Sequence, residues 1–200
     1  MDLNYKNAKQ KLLTDLDKDC QQFFIKKGYM LENAYYELLS DNIGKAKNIF
    51  DAIKDSDIRA HWASFMISMI NSDIREYPSY FEIRNFLEID LNILLHYFKG
   101  DYVQNIIGYS DFLFTINPEV HKFIGRVFHN NGYPEQCMFF LEKAKNYFYH
   151  DPELHYLLAD IYYHGEDFIK AEKALNECLY ILPGYFPAVN LLKKINNKIK

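Results

Sequence analysis

What this chain has little of narrows it first. Its three cysteines, Cys20, Cys137 and Cys178, make an odd count without framework spacing. That excludes a disulfide-stapled scaffold and suits a reducing compartment, so a cytoplasmic location is expected. The eight glycines and six prolines are scattered, and no G-x-G-x-x-G or G-x-x-x-x-G-K-[ST] loop occurs. Gly44-Lys45 lacks the upstream glycine and downstream hydroxyl of a phosphate loop, and Ser110 lacks the second glycine of a nucleophile elbow. Long apolar runs are missing too. The stretch Phe65–Ile70 is broken by Ser68, well short of the ~18–20 residues that span a bilayer. The start Met1-Asp2-Leu3-Asn4-Tyr5-Lys6 has no apolar core of a secretory signal.

Charge of one sign is equally scarce. The net charge is -4, with 13 basic and 15 acidic side chains in residues 1–100 and 10 and 12 in residues 101–200. No basic face for nucleic acid is expected from that balance. The one basic cluster, Lys193, Lys194, Lys198 and Lys200, suits a helix C-terminus. The seven histidines show no i, i+4 pair, and no CxxC knuckle accompanies them. No metal, no cofactor and no catalytic residue is therefore expected, and the histidines read as solvated or hydrogen-bonded surface groups, with His129 and His164 able to line one groove.

What is present is core-forming material with a period. Apolar residues make up 49% and aromatics 17% of the chain, too much for a disordered segment. Gly125, Phe128, Cys137, Leu141 and Ala144 recur at a spacing of 34 as Ala159, Tyr162, Ala171, Leu175 and Cys178, and Pro118 recurs as Pro152. Small residues return where helices must touch, and large ones where a shared core must be filled. Helical periodicity and punctuation predict helices near 3–26, 29–39, 42–53, 58–72, 79–98, 102–115, 118–131, 134–148, 152–164, 167–181 and 186–198. Asn117 and Asp151 stand as N-caps before Pro118 and Pro152. Leu12, Leu13, Leu16, Phe23 and Phe24 give the first helix one apolar stripe, with which it either caps the stack or packs across the first repeat. Tyr35, Tyr36, Tyr162 and Tyr180 read as packing residues with a wet hydroxyl end.

These residues resemble the tetratricopeptide repeat family, most clearly over 118–185. Ala159, Ala171, Leu175, Cys178 and Pro183 fall at the family's positions in one repeat, and Gly125, Cys137, Leu141 and Ala144 in the one before. Residues 27–56 look like a further copy through Ala34, Ala46, Phe50 and Ile53. Over 86–117 the match is weaker, with Asn105 in place of a small residue, and residues 57–85 depart most, although Trp62 resembles a first-helix aromatic. The resemblance implies an all-α fold, a right-handed α-solenoid of antiparallel helix pairs in one domain over 1–200. Its parts would be an N-terminal capping helix over 1–26, divergent repeats over 27–117, clear repeats over 118–185 and a capping helix over 186–200. Phe186, Val189, Leu191, Leu192 and Ile195 would cover the last repeat.

The family's inner wall, carried onto this sequence, implies a partner-binding face of Lys122, Arg126, His129, Asn130, Tyr156, Asp160, Tyr163, Asn190 and Lys194, with Glu153 and His164 beside them. Lys122 and Arg126 would meet acidic or phosphate-like groups, and Tyr156 and Tyr163 apolar side chains. A clamp for a terminal carboxylate is disfavoured, because Arg126 and Asp160 stand where that pattern wants asparagines. The implied function is a non-catalytic adaptor or co-chaperone that holds a protein or peptide partner. Alternatives are a type III secretion-like or assembly chaperone with one client, or a structural self-associating module, including a homodimer or a groove filled by the chain's own first helix.

Overall fold

The computed structural model describes residues 4–199, and among them every regular element is helical. The chain, read from sequence as one continuous domain, divides into two compact units, Met1–Tyr109 and Ser110–Lys200. The first holds α1 (Tyr5–Asp15), α2 (Lys18–Lys27), α3 (Met30–Leu39), α4 (Ile43–Ile53), α5 (Ile58–Ile70), α6 (Tyr80–Phe86), α7 (Asn92–His96) and α8 (Gly100–Gly108), with a π-helical turn, Leu87–Leu91, joining α6 to α7. The second holds α9 (Ser110–Ile116), α10 (Val120–Asn130), α11 (Pro134–Lys145), α12 (Pro152–His164), α13 (Phe168–Ile181) and α14 (Phe186–Ile199).

In the first unit the expected single helix over 3–26 is two helices. Leu16 adopts a left-handed φ of 47°, and the Asp17 carboxylate accepts from the Asp19 N–H to start α2. The break folds α1 and α2 together, so that Ala8, Leu12, Cys20 and Phe24 bury against Tyr36 of α3, with Leu16 and Phe23 at the edge. The Leu13 side chain lies outside the described residues. Across α3 and α4, Ala34, Ala46 and Phe50 are fully buried, as the repeat spacing requires. The divergent segment has its own local logic. A capping box, in which Ser79 and Glu82 exchange hydrogen bonds, starts α6. Asn105, which breaks the small-residue pattern, donates from its amide to the Ile70 carbonyl at 3.1 Å and so closes the end of α5.

A buried polar cluster sits under the π-helical turn. Asp90 is fully buried, and its Oδ1 accepts from the Tyr35 hydroxyl at 2.6 Å. Arg59 in turn donates to that hydroxyl at 3.2 Å. The Tyr35 hydroxyl is therefore enclosed, not wet as expected from sequence. Burial pushes the Asp90 carboxyl up to about 7, while Tyr35 and Arg59 pull against it.

In the second unit the repeats pack as antiparallel pairs, α10 on α11 and α12 on α13, with α12 also against α10 and α14. This unit is an α-solenoid. Cys137, Leu141, Ala144, Ala159, Ala171, Leu175 and Cys178 are all fully buried. Burial holds the Cys137 thiol at about 12 and the Cys178 thiol at about 11, so both behave as small packing residues, not nucleophiles. Asp151 caps α12 by accepting from Glu153 N–H at 2.9 Å, and Asn117 accepts from Glu119 N–H at 2.9 Å. The last helix buries Ala188, Leu191 and Ile195, whereas Phe186, expected in that contact, is exposed. Tyr180, expected to pack, is 83% exposed.

A Cβ on Gly125 would stand 2.7 Å from Leu141 Cδ2 and 2.9 Å from its Cγ, whereas one on Gly44 would meet nothing. Gly125→Ala should therefore lower stability by about 1 kcal/mol or more despite its better helix propensity, and Gly44→Ala should raise it by about 0.5–1 kcal/mol. Chemical denaturation of both variants checks the contrast. For Asp90, a folded pKa near 7 against an ordinary 3.8 means its stabilising proton is fully in place below about pH 4 and lost as pH climbs to about 7. Asp90→Asn should accordingly melt above the wild type at pH 8, with the gain shrinking toward pH 5 in thermal scans.

Candidate functional site

The face implied by the sequence lies on α10, α12 and α14 of the second unit. Lys122, Arg126 and His129 follow one another at i, i+4 and i+7, which places them on one side of α10. Each meets a carboxylate of α12 or of its cap. Lys122 Nζ donates to Asp151 Oδ2 at 2.5 Å and to Glu119 Oε1 at 2.7 Å. Arg126 pairs with Glu153, and His129 Nε2 lies 2.8 Å from Asp160 Oδ2. Both cations expected to meet a ligand's acidic groups thus have internal partners, and Lys122 is buried.

The electrostatics follow from that pairing. Burial pulls the Lys122 ammonium down, but its bonds to Asp151 and Glu119 outweigh this and leave it above its ordinary value. The hydrogen bond to Asp160 raises His129 above the usual histidine value, and the same bond holds Asp160 below the usual carboxylate value. His164, one turn on, approaches Asp160 at 3.7 Å.

The remaining residues are placed as follows. Asn130 and Lys194 are exposed, and Asn190 is half-buried. Tyr156 packs edge-on against Tyr185, with ring centres 5.6 Å apart. Tyr163 carries the Lys198 ammonium 4.9 Å from its ring centre. His129, Asp160 and His164 come together with Tyr133, Pro134 and Ile161 around an open cleft of about 510 Å³, at the ends of α10 and α12 and the start of α11. Sequence reasoning missed Tyr133, Tyr185 and Lys198. Tyr133 was legible only as part of the Gly132-Tyr133-Pro134 turn, and Tyr185 lies in the turn before α14. Of the other histidines, His121 and His155 are buried, contrary to a surface reading, and His155 bonds the Tyr149 carbonyl at 2.6 Å. Among the described residues no group of three or more histidines, cysteines and carboxylates could hold a metal, and no helix is long and apolar enough to cross a membrane.

The two shifts define a pH window. The raised histidine contributes stability that is complete below its ordinary 6.5 and lost as pH rises through its higher folded value. The depressed carboxylate contributes above its ordinary 3.8 and is lost as pH falls through its lower folded value. Asp160→Asn should therefore cost about 1–2 kcal/mol at pH 6 and markedly less at pH 9. Urea titrations at the two pH values measure the difference.

With this geometry in view, comparison with known proteins is informative over one segment. Residues 152–184 match the tetratricopeptide repeat family model. No curated protein matches the chain. Among solved structures, the crystal structure of the APC/C hetero-tetramer Cut9-Hcn1 is similar at a TM-score of 0.43 and 13% identity, covering 92% of this chain and 40% of that one. This chain therefore spans less than half the length of that chain. The matched segment holds α12, its capping Asp151 neighbour Pro152, and all of α13. Residues 152–184, the α12–α13 pair, are thus similar to a tetratricopeptide repeat.

Proposed function

We propose that the chain is a non-catalytic protein-binding module, an adaptor or co-chaperone, that holds a peptide or partner helix on the α10–α12–α14 face of its second unit. The observation that carries this reading is the open cleft at His129, Asp160 and exposed His164, with exposed Asn130 reaching His129 and exposed Lys194 acting on the Asp160 charge. Internal ion pairs fix the helices there before any partner arrives, so association costs little ordering of the module itself. Lys122 and Arg126 act as positioning residues in this scheme, and contact with the partner falls to Asn130, His164, Lys194 and the Tyr163 ring. One ammonium, one amide and two rings make up that list, which favours a partner recognised through backbone amides and apolar side chains over a highly charged one.

A new negative charge at each of the two exposed sites tests the assignment while leaving the Lys122 and Arg126 ion pairs in place. The Asn130→Glu, Lys194→Glu double variant should keep its helix content by circular dichroism. It should also lose at least tenfold of the affinity for a partner captured by the wild-type chain from native lysate. Undiminished capture by the double variant would remove this face as the binding surface.

A further inference from the structure

The other side of the same unit carries a second cleft that the reading above does not use. It has a volume of about 420 Å³ and lies between the end of α11, the segment that leads into α12, and α13. Pockets of roughly 300–1,000 Å³ suffice to enclose a compact ligand group. Leu158, Tyr162 and Ala174 give it an apolar floor, and Lys145, Lys170 and Lys173 stand at its rim. One wall is held rigid, because His155 bonds the Tyr149 carbonyl at 2.6 Å.

Among the residues that line this cleft lysines outnumber carboxylates, although carboxylates outside the lining pair with two of them. Glu177 is the sole carboxylate among its lining residues, against three lysines. That carboxylate is engaged by the Tyr149 hydroxyl, whose pKa it raises. Lys145 reaches Glu142 only at 3.4 Å, while Lys170 pairs with Asp167 at 2.7 Å and lies 5.6 Å from the Tyr162 ring centre. Lys173 is exposed and meets no carboxylate among the described residues. Next to the cleft, Ile169 and Tyr180 are 82% and 83% exposed. They share one stripe of α13 with Lys173, about 16 Å apart at 1.5 Å per residue.

We propose that this cleft docks an acidic peptide segment with a single apolar anchor. The anchor enters over Leu158, Tyr162 and Ala174, and flanking carboxylates meet Lys145, Lys170 and Lys173. Further apolar contact comes from Ile169 and Tyr180. Charge complementarity selects this occupant. A free phosphate would leave the apolar floor unused and finds no arginine fork here. A nucleic acid would need a longer basic stripe than the three lysines at this cleft, in a chain of net charge -4.

The test uses the full chain and a fluorescent dodecapeptide of glutamates and aspartates around one phenylalanine, followed by anisotropy. Saturable binding is expected, weakened at least tenfold by Lys170→Glu with Lys173→Glu, and weakened again when the phenylalanine is replaced by serine or the salt is raised. Both lysines are exposed, so circular dichroism should be unchanged. The Asn130→Glu, Lys194→Glu variant should bind this peptide as the wild type does, which separates this site from the opposite face. Absence of saturable binding, equal binding by the lysine variant, or loss of binding only in the Asn130 and Lys194 variant would overturn the proposal.

Discussion

In the second unit a pair of helices can close only where one partner offers nothing beyond a hydrogen or a methyl group. The tightest such place is Gly125 against Leu141, where a Cβ would come within 2.7 Å of a leucine methyl. The same demand returns one period later at Ala159 and Ala171, both fully buried. Packing density leaves no slack to absorb a larger group, so the small residues fix how near each first helix lies to its second. Leu141 and Leu175 then fill the same layer in successive pairs. The thiols of Cys137 and Cys178 belong to this scheme, which is why burial has driven them far from any reactive state.

Pair spacing in turn decides what happens between neighbouring first helices. With α10 and α12 in contact, cations on one face the carboxylates at the start and middle of the other. Asp151 serves two purposes at once. Its Oδ1 caps α12, while its Oδ2 takes the buried Lys122 ammonium. A buried ammonium is tolerable only with such partners, since desolvation alone would cost several kcal/mol. The pairs therefore tie α10 to α12 and its cap, and removing one partner would leave the other charge partly buried and uncompensated.

The parts of this molecule that were legible in the sequence are those governed by period and by short-range capping. The recurrence at 34 located the two clear repeats, and Asp151-Pro152 located the start of α12. Helix continuity was less legible. Nothing apolar changes at Leu16, yet a single left-handed residue there divides the first helix, and an aspartate cap two residues before Asp19 completes the break. Asn105 looked like a defect in the pattern, because its purpose, closing the end of α5, depends on a contact 35 residues away. For the candidate face, sequence gave the positions but not the pairing. Lys122 and Arg126 sit on the expected side of α10, and only the nearness of Asp151 and Glu153 across the helix boundary reveals where their charge goes.

That last point bears on which surface of a helical repeat is free to recognise something. Where first helices adjoin, complementary charges can satisfy one another, and a residue type that looks ideal for a ligand becomes part of the scaffold. The second helices have a different environment. On α13, Lys170 keeps a local partner in Asp167, but Lys173 meets no carboxylate among the described residues, and Ile169 and Tyr180 are exposed on the same stripe. An exposed apolar pair costs solubility, and an uncompensated lysine beside an apolar floor adds nothing to the fold. The partner proposed above, of opposite charge and with some apolar surface, would cover both features. Under both proposals recognition falls mainly to exposed groups, not to the internally paired cations that the family resemblance implied.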